Sequence, residues 1–91
     1  VLIEYDPAKN AKNVRERGLD FNRAREFDFD TAEIISVLRG DEVRYVATGF
    51  LGTRLHVVCF KRFDGGVRVI SFRKANKREA RRYEEGRRNL E

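Results

Sequence analysis

The stretch Arg54-Leu55-His56-Val57-Val58-Cys59-Phe60-Lys61-Arg62-Phe63, then Asp64-Gly65-Gly66, then Val67-Arg68-Val69-Ile70-Ser71-Phe72-Arg73, decides the fold. Two β-branched and aromatic runs flank a turn that carries two glycines, which is a hairpin signature. Taken as a three-residue loop, Asp64-Gly65-Gly66 sets Phe63 opposite Val67, Phe60 opposite Ile70, Val58 opposite Phe72 and Val57 opposite Arg73. Upstream, Gly52-Thr53 joins Arg54–Phe63 to a third run, Val43–Leu51, and as a two-residue loop sets Tyr45 opposite Phe60 and Ala47 opposite Val58. Strand side chains alternate faces, so both registers must bury the same face. They agree: Tyr45, Ala47, Val58, Phe60, Ile70 and Phe72 form a core side. Arg44, Val46, Thr48, Val57, Cys59, Lys61, Val69, Ser71 and Arg73 share the other, which suits the floor of a groove.

Working outward, Gly40-Asp41 is a turn, and Thr31 to Leu38 is apolar and β-branched enough for a further strand. Leu2 and Ile3, with Val1, form a short strand. Asp6-Pro7 reads as an N-cap with proline at the first helical position, opening a helix from Pro7 to Arg17 that Gly18 stops. Asp20 is a second N-cap, before a short helix in which Phe21, Ala24 and Phe27 recur every third residue. Asn76 and Glu79 resemble a capping box, opening a last helix that runs to Arg88. The expected fold is α+β, a small antiparallel meander with two N-terminal helices and one C-terminal helix.

Ninety-one residues, 41% hydrophobic and 38% charged, suit one domain spanning 1–91. No apolar run approaches the roughly 20 residues of a membrane helix, and no signal-peptide pattern is present. The lone Cys59 fits a reducing, cytoplasmic compartment. Val1 and the final Leu90-Glu91 are given no functional weight. The net charge of +5 is uneven: residues 1–53 carry 8 Lys+Arg against 10 Asp+Glu, and residues 54–91 carry 12 against 5. Fifteen of the 20 cations are arginine, whose planar fork suits phosphate better than a lysine point charge. That balance fits a polyanionic partner or a solvated basic face.

His56 and Cys59 have opposite strand parity, against both a zinc site and a Cys-His nucleophile, and His56 reads as structural. No phosphate-cradling glycine loop is present. Asp28 and Asp30 lack a third converging carboxylate, so they read as helix-end solvation or ion-pair partners, and neither a metal site nor a cofactor is expected. Arg73, on a rigid strand, needs solvent, a carboxylate or a phosphate for its guanidinium. Arg62 and Arg68 are expected as neighbours at the far end of the second hairpin.

The ordered set Tyr5-Asp6-Pro7-Ala8-Lys9-Asn10, Asn13, Gly18-Leu19-Asp20-Phe21, Ala24, Gly40-Asp41-Glu42-Val43-Arg44-Tyr45, Gly49, Arg54-Leu55-His56-Val57-Val58, Arg62, Arg68-Val69-Ile70-Ser71-Phe72-Arg73-Lys74-Ala75, Glu79 and Tyr83 resembles the BrnT toxin family over nearly the whole chain. The resemblance implies a RelE-like ribonuclease of a type II toxin–antitoxin pair. Such a toxin attacks RNA and translation, in some settings at the ribosome, and is neutralised by a BrnA-type antitoxin that alone contacts DNA. Where the family usually shows Lys-His-Gly, this chain has Glu16-Arg17-Gly18, so a histidine is missing there. Phe72 replaces an alanine at a core-facing position.

The chemistry implied is metal-independent attack of the RNA 2′-hydroxyl on the adjacent phosphorus, with guanidinium groups stabilising the added phosphoryl charge. Arg73 and Arg62 are the first candidates for that role. Glu79 and Tyr83, four apart on one helix face, are candidates for proton exchange or base stacking, or alternatively lock the helix to the sheet. Arg44, Lys61, Arg54, Arg68 and Lys74 are candidate RNA contacts. Arg78, Arg81, Arg82, Arg87 and Arg88 offer a surface for RNA tracking or antitoxin docking. The competing class is a non-catalytic basic module that binds nucleic acid or an acidic protein.

Overall fold

Asp6 accepts the Ala8 amide at 2.9 Å, Pro7 needs no amide partner, and Gly18 takes the left-handed conformation (φ 64°) that ends the helix. These three residues bound α1 (Pro7–Arg17) after a short β1 (Leu2–Tyr5). The structure, a computed structural model, describes residues 2–90, so Val1 and Glu91 lie outside the described residues. The remaining elements are β2 (Glu33–Arg39), β3 (Glu42–Leu51), β4 (Arg54–Phe63), β5 (Gly66–Lys74) and α2 (Lys77–Leu90). The segment after Asp20 is a 3₁₀ turn, Phe21–Glu26, and not an α-helix. Its every-third-residue repeat is the 3₁₀ period itself, and Phe21, Ala24 and Phe27 are all buried. Among the described residues, no helix is long and apolar enough to cross a membrane.

The sheet order is β1-β5-β4-β3-β2. Strands β2 to β5 form the expected antiparallel meander, but β1 lies parallel beside β5, so the sheet is mixed. Gly66 admits that fifth strand: a Cβ there would meet the Leu2 carbonyl oxygen at 2.3 Å. Gly66 is thus the first residue of β5 opposite Phe63, and the turn is only Asp64-Gly65, with Gly65 at φ 90°.

The shorter turn shifts part of the expected register. Tyr45–Phe60 and Ala47–Val58 pair as expected, and so do Val58–Phe72 and Val57–Arg73. Between them, a bulge beside Cys59 and Phe60 absorbs one extra residue of β5. Phe60 therefore faces Val69 rather than Ile70, and Phe63 faces Gly66 rather than Val67. Val69 takes the core place expected of Ile70 and is 2% exposed. Arg68 stands opposite Lys61, so it is not Arg62's cross-strand neighbour.

The core packs Leu19, Phe21, Ala24 and Phe27 onto Ala47, Leu51, Val58, Phe60, Val69 and Phe72. The other face is not an open floor along its length. Tyr83 of α2 is buried with its ring edge-on to Phe50, and its hydroxyl donates to the Thr31 carbonyl at 2.9 Å. Helix α2 thereby covers the end of that face that carries Thr48, Phe50, Leu55 and Val57. The end with Arg44, Val46, Cys59 and Lys61 remains partly open.

Candidate active site: a cationic cleft without carboxylates

Asn13 is the residue that positions this site. It is buried on α1 and donates both amide hydrogens, to the Leu19 carbonyl at 2.8 Å and to the Phe72 carbonyl at 2.9 Å. Buried polar groups are retained where their bonds are satisfied, and these two tie the Gly18-Leu19 turn to the end of β5. Asn10 continues the staple, accepting the Phe21 amide at 2.8 Å. The outcome is a cleft of about 420 Å³ lined by Arg17, Gly18, Leu19, Arg23, His56, Arg73 and Lys74. Four of those seven residues are cations and none is a carboxylate, in a chain that holds 15 acidic residues.

Arg73 is fixed from outside the cleft. Its Nη1 and Nη2 donate to Glu79 Oε1 and Oε2 at 2.7 and 2.9 Å, a two-pronged contact that sets the plane of the guanidinium. Glu79 Oε1 also accepts the Asn76 amide at 3.0 Å, while Asn76 Oδ1 accepts the Glu79 amide at 2.8 Å, closing the capping box. Arg73, chiefly, and the Asn76 amide hold the Glu79 carboxyl down at about 2. Arg73 rises correspondingly. Glu79 is therefore an ionised strut for Arg73. Arg17 and Lys74 make no ion pair among the described residues, whereas Arg23 shares its charge with Glu26.

His56 sits on the core side as its parity requires, edge-on to Phe72, and is 5% exposed. Its Nδ1 lies 2.8 Å from the Arg54 carbonyl, which can only accept, so Nδ1 carries the proton. Nε2 then holds the lone pair, has no partner among the described residues, and the ring forms part of the cleft wall. Burial, followed by the nearby cations Arg54, Lys74 and Arg23, pushes the imidazole below its ordinary value, so it is neutral at neutral pH. Burial pushes the Cys59 thiol up, against thiolate chemistry.

The nine candidate residues do not converge. Arg73 and Lys74 line the cleft; Glu79 adjoins it through Arg73. Tyr83 is buried beneath α2 in the locking role. Arg62 lies five residues along β4 from the partner of Arg73, about 17 Å away, its guanidinium carbon 5.5 Å from the Tyr45 ring centre. Arg44 and Lys61 both engage Glu42, and Arg68 engages Glu4. Arg54 borders a separate depression with Asn76 and Lys77 beside α2. Asp28 binds Thr31 and the Asp30 amide as a turn cap, and no group of three or more His, Cys, Asp or Glu converges among the described residues. Arg17, Arg23 and His56 are cleft residues that sequence reasoning did not select. The local signal was the missing histidine: Arg17 stands where the resemblance expects one, on the same cleft as His56.

This α+β domain carries a cationic cleft that no carboxylate lines, a surface whose charge is complementary to an anion. A family model described as "Ribonuclease toxin, BrnT, of type II toxin-antitoxin system" matches residues 5–79, and the chain belongs to that family. A type II toxin family implies an antitoxin partner. The crystal structure of the Brucella abortus ribonuclease toxin BrnT is similar to this chain at 29% identity and a TM-score of 0.65, over 82% of this chain and 96% of that one. No curated protein matches the sequence.

Proposed function

We propose that this chain is a RelE-like endoribonuclease that cleaves RNA without a metal and so inhibits translation in the cytoplasm. The single observation behind it is the cleft, which gathers Arg17, Arg23, Arg73 and Lys74 around a neutral histidine and admits no carboxylate. In this reading an RNA phosphate enters between Arg73, Lys74 and Arg17. His56 Nε2 takes the proton of the 2′-hydroxyl, O2′ attacks phosphorus, and the P–O5′ bond breaks as O5′ takes up a proton, for which the Lys74 ammonium is available. Arg73, held in plane by Glu79, stabilises the charge that grows on the phosphoryl oxygens. Glu79 acts through Arg73 and is a positioning residue. Arg54 extends the RNA path toward α2. Arg44, Lys61, Arg62 and Arg68 lie beyond the cleft, as outer contacts for RNA or for the neutralising partner, a DNA-binding antitoxin of the BrnA type.

The test is cleavage of a 5′-labelled RNA by purified protein with EDTA present, and by its Arg73→Ala variant. The expected products end in a 2′,3′-cyclic phosphate and a 5′-hydroxyl, and the variant is slower by roughly 10²-fold or more. Intact RNA with the wild-type protein, together with unslowed growth on expression without an antitoxin, overturns the reading.

A further inference from the structure

Strand β2 pairs with β3 over all seven of its residues, while its other side faces no strand among the described residues. Natural edge strands are usually blunted by a central charge, a proline or a bulge. β2 has none of these. Its middle is Ile34, Ile35, Ser36, Val37 and Leu38, with the four apolar residues 44%, 48%, 37% and 69% exposed, and Val43 beside Leu38 is exposed as well. Its only charges are at the ends, Glu33 and Arg39, and they have opposite sign.

We propose that β2 is the seam of a homodimer, in which two copies pair antiparallel about a twofold axis through Ser36. In that register Glu33 meets the other copy's Arg39, Ile34 meets Leu38, Ile35 meets Val37, and the small Ser36 meets itself. The strand is thus complementary to its own reversed sequence. This is what an isologous contact demands, since each pairing occurs twice. A slip of two residues either way sets Glu33 opposite Val37 or Arg39 opposite Ile35, and a slip of one turns the wrong faces together. Both end charges are free to pair. Arg39 makes no ion pair among the described residues, and Glu33 has only a loose contact with Arg82 at 3.9 Å. Pairing joins the two sheets into one and leaves both cationic clefts outside the seam, because none of their lining residues belongs to β2.

The full chain, stripped of antitoxin under denaturing conditions and refolded, is examined by sedimentation over roughly 1–100 µM. The expected mass approaches twice 10.7 kDa as concentration rises. Glu33→Arg places like charges at both ends and weakens association by roughly tenfold, and adding Arg39→Glu restores it. In a Cys59→Ser background, Ser36→Cys cross-links to its own copy on mild oxidation, whereas Glu42→Cys, on the neighbouring strand, does not. Circular dichroism verifies that each variant is folded. A mass of 10.7 kDa throughout, or failure of the double charge swap to recover association, overturns the proposal. So does protection of β2 from hydrogen exchange only when antitoxin is added, which assigns the edge to a strand of that partner.

Discussion

Replacing Glu79 by glutamine removes one charge from the pair that orients Arg73 while keeping the side chain's length. A carboxyl lowered from 4.5 to about 2 on folding is linked to roughly 3 kcal/mol. The Glu79 side chain is only 16% exposed, but Arg73 is 37% exposed, and solvent screening of that partner reduces the figure to about 1–2 kcal/mol. In a domain of this size that corresponds to a fall in Tm of about 5–12 °C at pH 7. The sign follows from the direction of the shift. The folded carboxyl titrates below the unfolded one, so its stabilisation is fully present above about pH 4.5 and is lost as pH falls toward 2. Glutamine imitates the protonated acid, so the gap between wild type and Glu79→Gln closes along the same interval. Thermal melts followed by far-ultraviolet circular dichroism at pH 7, 4 and 2.5 measure it. A gap unchanged between pH 7 and 2.5 refutes the assignment of Glu79 as an ionised strut. Glu79→Gln also cleaves RNA faster than Arg73→Ala does, since the amide oxygen retains one bond to Arg73.

Three further outcomes are expected. With His56 as base, single-turnover cleavage rises with pH and levels off below the ordinary histidine value of 6.5, because burial lowers the folded pKa; His56→Gln abolishes that acidic limb and slows cleavage about 10²-fold, and a retained limb assigns it to another group. Gly49→Ala lowers stability by about 1–3 kcal/mol, because its Cβ would stand 2.9 Å from both Ala32 Cβ and Phe27 Cζ; urea unfolding measures this, and an unchanged midpoint refutes the close-packing account. Asn13→Ala leaves two buried carbonyls without their donor, which costs about 1–3 kcal/mol, and at temperatures where the variant remains folded it slows cleavage more than Gly49→Ala does, as expected if Asn13 seats the cleft wall.

The strand pairing was legible where turn chemistry and alternation agreed. Gly52 and Gly40 each supply a positive φ in two-residue turns, and the β3–β4 register follows from the first of them. Asp64-Gly65-Gly66 misled because its two glycines do different things. Gly65 turns the chain, while Gly66 lets a neighbouring backbone approach, and composition does not separate those uses. The bulge then restored the register at Phe72 and Arg73, so the expected position of Arg73 survived an error in the loop before it. The parallel strand was hidden for a related reason: four residues of β1 say nothing of which edge they join, and only the bare backbone at Gly66 selects one. Within the site, Arg73 was legible because a guanidinium on a rigid strand demands a partner. His56 was half legible. Its parity marked it correctly as core, but one buried imidazole edge closing a cleft depends on Asn13 and on the Gly18 turn, residues far from it in sequence.

Charge counting located the basic half but not the cations that gather at the cleft, and the structure supplies a physical reason. A cation serves an incoming phosphate best when no resident carboxylate already neutralises it. Arg44 and Lys61 share Glu42, Arg68 has Glu4, and Arg62 lies over the Tyr45 ring, so each would first have to leave a partner. Arg17 and Lys74 have no ion-pair partner to leave among the described residues. Arg73 is paired, yet its partner grips the Nη1/Nη2 edge of the guanidinium from the first turn of α2 and is not a lining residue, so the pairing orients the group without closing the cleft. The distinction is also one of sequence origin. Arg17 and Arg23 come from the acidic half of the chain, next to Gly18 and Asp20, and the fold delivers them to the end of β5. The cationic cleft thus draws on both halves, and deleting charge from the basic half alone leaves part of it in place.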